Sequence, residues 1–134
     1  MEKISVVDEA RTDFDNFLSY GKQREEPQTI CAVVCEAAFM EEGEGLSLSP
    51  VTCVDKPLQK INNFQDLVNA GGLMGQDWDM MCITMLLGEN GSIATAIETN
   101  KRLDVMLELI RQGQADKMVI FARDEEHVRL NHNL

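Results

Sequence analysis

Ten consecutive residues, Trp78 to Leu87, hold only two polar side chains, Asp79 and Thr84. The stretch is too short for a membrane span, which needs ~18–20 apolar residues, and Gly88 stops it. Read as a strand, it places Met81, Ile83, Met85 and Leu87 on one face and Met80, Cys82 and Leu86 on the other. A strand that is apolar on both faces must be covered on both faces. The fold is therefore built around a central strand with packing layers on either side.

The elements around this strand read as follows. Ser5 to Lys22 is expected to be a helix, with Ser5 as N-cap, Asp8 in the first turn, and Val6, Val7, Ala10, Phe14, Phe17 and Leu18 on its buried face. Residues 28–40 fit either a buried strand or a helix. The β-branched Ile30, Val33 and Val34 and the glycine-rich turn Glu41–Gly45 favour the strand. Leu46–Val54 alternates as an edge or near-edge strand, because Pro50 has no N–H for a ladder. Asn62 or Asn63 caps a short helix over Phe64–Asn69, stopped by Gly71-Gly72. Asn90-Gly91 suggests a hairpin turn, with Ser92–Glu98 returning as a strand. A helix capped by Thr99 or Asn100 and a last strand over Lys117–Ala122 follow. Arg123–Leu134 reads as a loosely ordered polar tail.

The expectation is one α+β domain over residues 1–134, with an antiparallel or mixed sheet of four to five strands and helices packed on it. The expected order is α-β-β-α-β-β-α-β, with 28–40 helical as the variant.

Charge narrows the partners. The chain carries 12 basic and 23 acidic residues, a net of −11. Residues 1–45 hold a net of −7, residues 46–100 a net of −4, and residues 101–134 are neutral. Such a surface argues against direct binding to nucleic acid or anionic membranes and favours a basic protein partner. Asp8, Asp15, Glu41, Glu42 and Glu44 are the candidate partner-facing acids. The N-terminus lacks a basic start and an apolar signal core, so a cytoplasmic location is expected. A homodimer is expected only because two-fold pairs are common.

Chemistry-bearing residues are sparse. Cys31, Cys35, Cys53 and Cys82 all sit in apolar or β-type runs and read as reduced core thiols; no metal or other cofactor is expected from them. A Cys82–His127 couple has no local support. Asp77 and Asp79 flank Trp78, just after the glycines Gly72 and Gly75. On a strand the two acids share one face, able to bind a cation or do acid–base work. The glycine loop lacks the Lys-Ser/Thr of a phosphate loop.

The leading expectation is thus a non-enzymatic interaction factor, such as an acidic adaptor, a chaperone-like protein or an inhibitor, with no catalytic residues. The alternative is a small-molecule binder or enzyme using Gly72, Gly75, Asp77, Trp78 and Asp79. A third idea is a nucleic-acid mimic whose rows of carboxylates stand in for phosphates.

Overall fold

The computed structural model describes residues 11–39 and 46–130. The chain runs α1 (Asp13–Lys22), β1 (Gln28–Phe39), β2 (Leu46–Pro57), a 3-10 turn (Leu58–Lys60), α2 (Phe64–Ala70), β3 (Met80–Leu87), α3 (Ala96–Arg111), a second 3-10 turn (Ala115–Lys117), β4 (Val119–Ala122) and β5 (His127–Val128). The five strands form one sheet in the order β2-β1-β3-β4-β5, and every pairing is antiparallel. The α+β class and the strand number match the sequence expectation. Among the described residues no helix is long and apolar enough to cross a membrane.

β3 lies at the centre of the sheet, as its two apolar faces require. Met81, Ile83 and Met85 pack with Ile30, Ala32, Val34, Val54 and Phe121 under α1 and α2. Cys82, Met80 and Leu86 pack with Cys31, Val33, Cys35 and Ile120 under Leu103, Met106 and Ile110 of α3. The result is three layers, with two helices on one face of the sheet and one on the other. Phe14 anchors α1: its ring meets Phe64 at 4.9 Å and Phe121 at 5.2 Å, both edge-on, a favoured aromatic geometry. Residues 28–39 are a strand and not a helix, paired along both edges.

Both edges of the sheet are blunted. On β2 the register slips between Val34 and Cys35, which face Thr52 and Pro50 respectively, so Val51 is left over as a bulge beside a residue with no N–H. The opposite edge, β5, is two residues long. Bulges, proline and short edge strands all hinder edge-to-edge pairing with another chain.

Three expectations need correction. Ser92–Glu98 is not a strand, so the observed order is α-β-β-α-β-α-β-β. Asn90 and Gly91 do take positive φ (55° and 77°). The turn they make leads instead to Thr95, whose hydroxyl accepts from Glu98 N while Glu98 Oε1 accepts from Thr95 N. That reciprocal capping box starts α3 at Ala96, and β4 takes the place beside β3. Likewise, no helix runs unbroken from Ser5 to Lys22: Thr12 is extended and caps α1 in a second capping box with Asp15. Ser5 and Asp8 lie outside the described residues. Finally, the polar stretch from Arg123 turns and adds β5 against Ile120 and Phe121.

Candidate functional site

The residues singled out around Trp78 do not form one centre. Asp77, Trp78 and Asp79 precede β3 and are not in a strand, so the expected shared face for the two acids does not exist. Asp79 is committed to the backbone: its N–H donates to Cys35 O at 2.8 Å, and its Oδ2 accepts from Ala37 N at 2.7 Å. Asp77 is exposed. Trp78 is 3 % exposed and packs against Phe64 at 6.1 Å between centroids. The Arg123 guanidinium lies 4.8 Å over the Trp78 ring and donates to Trp78 O at 3.0 Å. The indole Nε1–H is buried without an acceptor among the described residues.

The glycine loop is packed down. Leu73 is buried, and its N–H donates to Val68 O at 3.1 Å. Gly72 and Gly75 are exposed at positive φ (65° and 77°) with open space where a Cβ would stand.

The four cysteines do converge. In the β-register, Val33 faces Cys53 on one neighbouring strand and Cys82 on the other, while Cys31 and Cys35 flank it along β1. All four therefore share the face covered by α3. Cys31, Cys35 and Cys82 are buried, and Cys53 is exposed. Burial pushes the Cys31 thiol up to about 11, with Arg102 pulling it down and Asp55 and Cys53 pushing it up. The Cys35 thiol is raised by its hydrogen bond to Cys82 and by burial; that same hydrogen bond lowers Cys82, against its own burial. Partial desolvation against the sheet raises Cys53, helped by Cys35, Asp104 and Asp55. The four thiols form no group able to hold a metal; none of three or more ligand side chains exists among the described residues. His127 faces Phe121, on the α1 side of the sheet, with ring centroids 5.9 Å apart. Cys82 is on the α3 side, so the sheet separates Cys82 from His127 and they form no couple.

Of the candidate partner-facing acids, Asp8, Glu41, Glu42 and Glu44 lie outside the described residues. Asp15 sits in the first turn of α1, where its Oδ2 accepts from Thr12 N at 3.2 Å. Around it the structure gathers a corner that sequence reasoning missed. His127 N donates to Asp13 Oδ2 at 2.8 Å, and Thr12 Oγ1 donates to Glu125 Oε1 at 2.8 Å. Phe14 N donates to Glu125 O at 3.2 Å, and Glu126 N donates to Asp124 Oδ1 at 3.1 Å. Asp13, Asp15, Asp124, Glu125 and Glu126 thus belong to one hydrogen-bonded junction between the α1 N-terminus and the β4–β5 turn. The positive end of the helix dipole favours carboxylates there. The acidic run from Asp124 to Glu126 was visible, but its meeting with α1 depends on β5.

A cleft opens at the other end of α1, with a volume of about 460 Å³. Its walls include Phe17, Tyr20 and Met85, and its polar groups come from Gln23, Arg24 and Gln28. No sequence signal marked it.

Comparison with protein-family models, curated proteins and solved structures finds no match to this chain.

Proposed function

We propose that this protein is a non-enzymatic interaction factor that presents an acidic surface to a basic protein partner. The observation that carries the reading is the junction of Asp13, Asp15, Asp124, Glu125 and Glu126. The Asp13 and Glu125 carboxylates accept bonds across α1 and the β4–β5 turn, beside the backbone bond from Phe14 N to Glu125 O, so the acidic groups stand on a fixed frame. The acid excess of the N-terminal third lies next to it in the chain. Fixed charges of one sign steer an oppositely charged partner and set its orientation. The reading places the protein in the cytoplasm, in contact with neither membrane nor nucleic acid. A homodimer, if formed, would pair through faces, since both sheet edges are blunted.

The small-molecule reading at Gly72, Gly75, Asp77, Trp78 and Asp79 has less support, because Asp79 is engaged with Ala37 and the Trp78 ring is packed in the core.

The test is capture of partners from a cell extract on the immobilised chain, at low and high salt. A double variant, Asp124→Lys with Glu126→Lys, is run beside the native chain. The reading expects basic proteins to be retained at low salt, released at high salt, and lost with the variant. Retention that ignores both salt and the substitutions would refute it. Gel filtration of the same preparations settles the dimer.

A further inference from the structure

The cleft beside Tyr20 exists because α1 stops before the sheet does. The helix ends at Lys22, where Gln23 caps it with its N–H directed at Gly21 O and Tyr20 O. The chain then passes through Arg24–Pro27 and enters β1 at Gln28, which lies opposite Leu87 at the end of β3. The last stretch of the α1-facing sheet surface is left without a helix over it. Met85 is accordingly only partly buried and Leu87 is exposed. Gly21 makes the close approach at this point: a Cβ there would lie 3.2 Å from Met85 Cε and 3.3 Å from Leu58 Cδ2.

We infer that this cleft is a binding site for an uncharged, planar heteroaromatic molecule of one or two fused rings. Three features set that chemistry. First, the walls are two aromatic rings and a thioether. Tyr20 is 77 % exposed, although it stands beside Phe17 and Met85. Aromatic faces and methionine sulfur both favour contact with a flat ring. A volume of about 460 Å³ falls within the ~300–1,000 Å³ of small-molecule sites.

Second, the polar groups suit hydrogen bonding to ring nitrogens or exocyclic groups. Gln28, 3 % exposed, donates its Nε2 to Gly21 O at 2.8 Å. Its amide oxygen and the amide of the exposed Gln23 are further polar groups of the lining. An amide oxygen accepts, and a free amide both donates and accepts.

Third, the charge at the rim disfavours anions. Arg24 is the charged residue of the lining, and Glu26 answers it at 3.5 Å, in a chain of net −11. A phosphate or carboxylate on the ligand would find the lining cation already paired, within a chain whose overall field is negative, whereas a neutral ring needs no counter-charge. This site is separate from the acidic junction, which lies at the opposite end of α1.

The test uses ligand-observed saturation-transfer NMR and titration on the full chain, with adenine and indole as neutral probes and adenosine monophosphate as the charged one. Adenine or indole is expected to bind, and adenosine monophosphate more weakly than adenine. Tyr20→Ala should weaken the neutral probes at least about fivefold, the lower end of what losing one stacking ring costs. Tyr20 is exposed, so the variant keeps its fold, which the amide spectrum checks. Met74→Ala, an equally exposed position on the glycine loop, should leave binding unchanged. Absence of transfer to both neutral probes, binding indifferent to Tyr20→Ala, or adenosine monophosphate bound as tightly as adenine would each overturn the inference.

Discussion

Asp79 ties the start of β3 to β1: its carboxylate accepts the Ala37 N–H at 2.7 Å while its own N–H donates to Cys35 O at 2.8 Å. A residue that looks like half of a catalytic or cation-binding pair is a brace between strands. Asp79→Ala should therefore lower stability by about 1 kcal/mol, the usual net worth of one hydrogen bond. Asp77 has no bonded partner among the described residues, and Asp77→Ala should stay within about 0.5 kcal/mol of the native chain. Urea unfolding of the two variants checks the contrast. Equal effects would mean that the two carboxylates work together after all.

Gly71 and Gly72 should differ for separate reasons. Gly71 closes α2 at an ordinary φ of −90°, so its conformation suits alanine. The obstacle is space, since a Cβ there would lie 2.5 Å from Val54 Cγ2 and 3.2 Å from Leu73 Cγ. Gly71→Ala should cost about 1–3 kcal/mol through overpacking. Gly72 has open space but a φ of +65°, and Gly72→Ala should cost about 1 kcal/mol through backbone strain. The denaturation midpoints of the two variants measure both costs. The distinctive readout is a compensating change: shortening the neighbour with Val54→Ala should reduce the Gly71→Ala penalty and leave the Gly72→Ala penalty alone.

The parts of the fold that were legible in the sequence were those carried by one element's own pattern. β3 showed both of its faces, Pro50 marked an edge or near-edge strand, and the Asn62-Asn63 pair marked the start of α2, where Asn63 is the cap. Errors came where two local signals competed. Ser92 to Glu98 reads as a strand returning from the Asn90-Gly91 turn, yet Thr95 and Glu98 stand at capping-box spacing, and the helix wins because β4 occupies the edge of β3. α1 itself starts from Thr12, which stands at capping-box spacing from Asp15. The thiol face around Val33 was hidden for a different reason. Cys53 and Cys82 reach it only through strand register, which a one-residue slip would reverse. The cleft depends on the length of α1 relative to β1 and β3, a relation between elements that no single stretch of sequence carries.

The buried Cys31 thiol should make the fold sensitive to alkali. Its ionisation is pushed from 9.0 to about 11 in the folded chain, chiefly by burial. Below pH 9 the thiol is protonated in both states and its contribution is fully present. Above pH 9 the Cys31 thiol ionises in the unfolded chain and not in the folded one, so its contribution falls as pH rises toward 11 and levels off beyond it. At 1.36 kcal/mol per unit, the loss reaches about 2–3 kcal/mol. Unfolding free energies measured across this window should show the decline, and Cys31→Ala should flatten that part of it while lowering stability at neutral pH.

Alkylation should then discriminate among the four thiols. Cys53 is exposed, whereas Cys31, Cys35 and Cys82 are buried beneath α3. Brief treatment of the native chain with iodoacetamide should modify one cysteine, and peptide mass mapping should place it at Cys53. The reaction should be slower at neutral pH than that of a free cysteine. The reason is that partial desolvation and the carboxylates of Asp104 and Asp55 hold the Cys53 thiol above its usual range, and the thiolate is the nucleophile. The rate should climb as alkali ionises the group. Cys53→Ser should abolish native labelling, and unfolding should restore the remaining three sites. Comparable early labelling at Cys35 or Cys82 would mean that α3 lifts from the sheet readily, and that the thiol face around Val33 is open to solution chemistry.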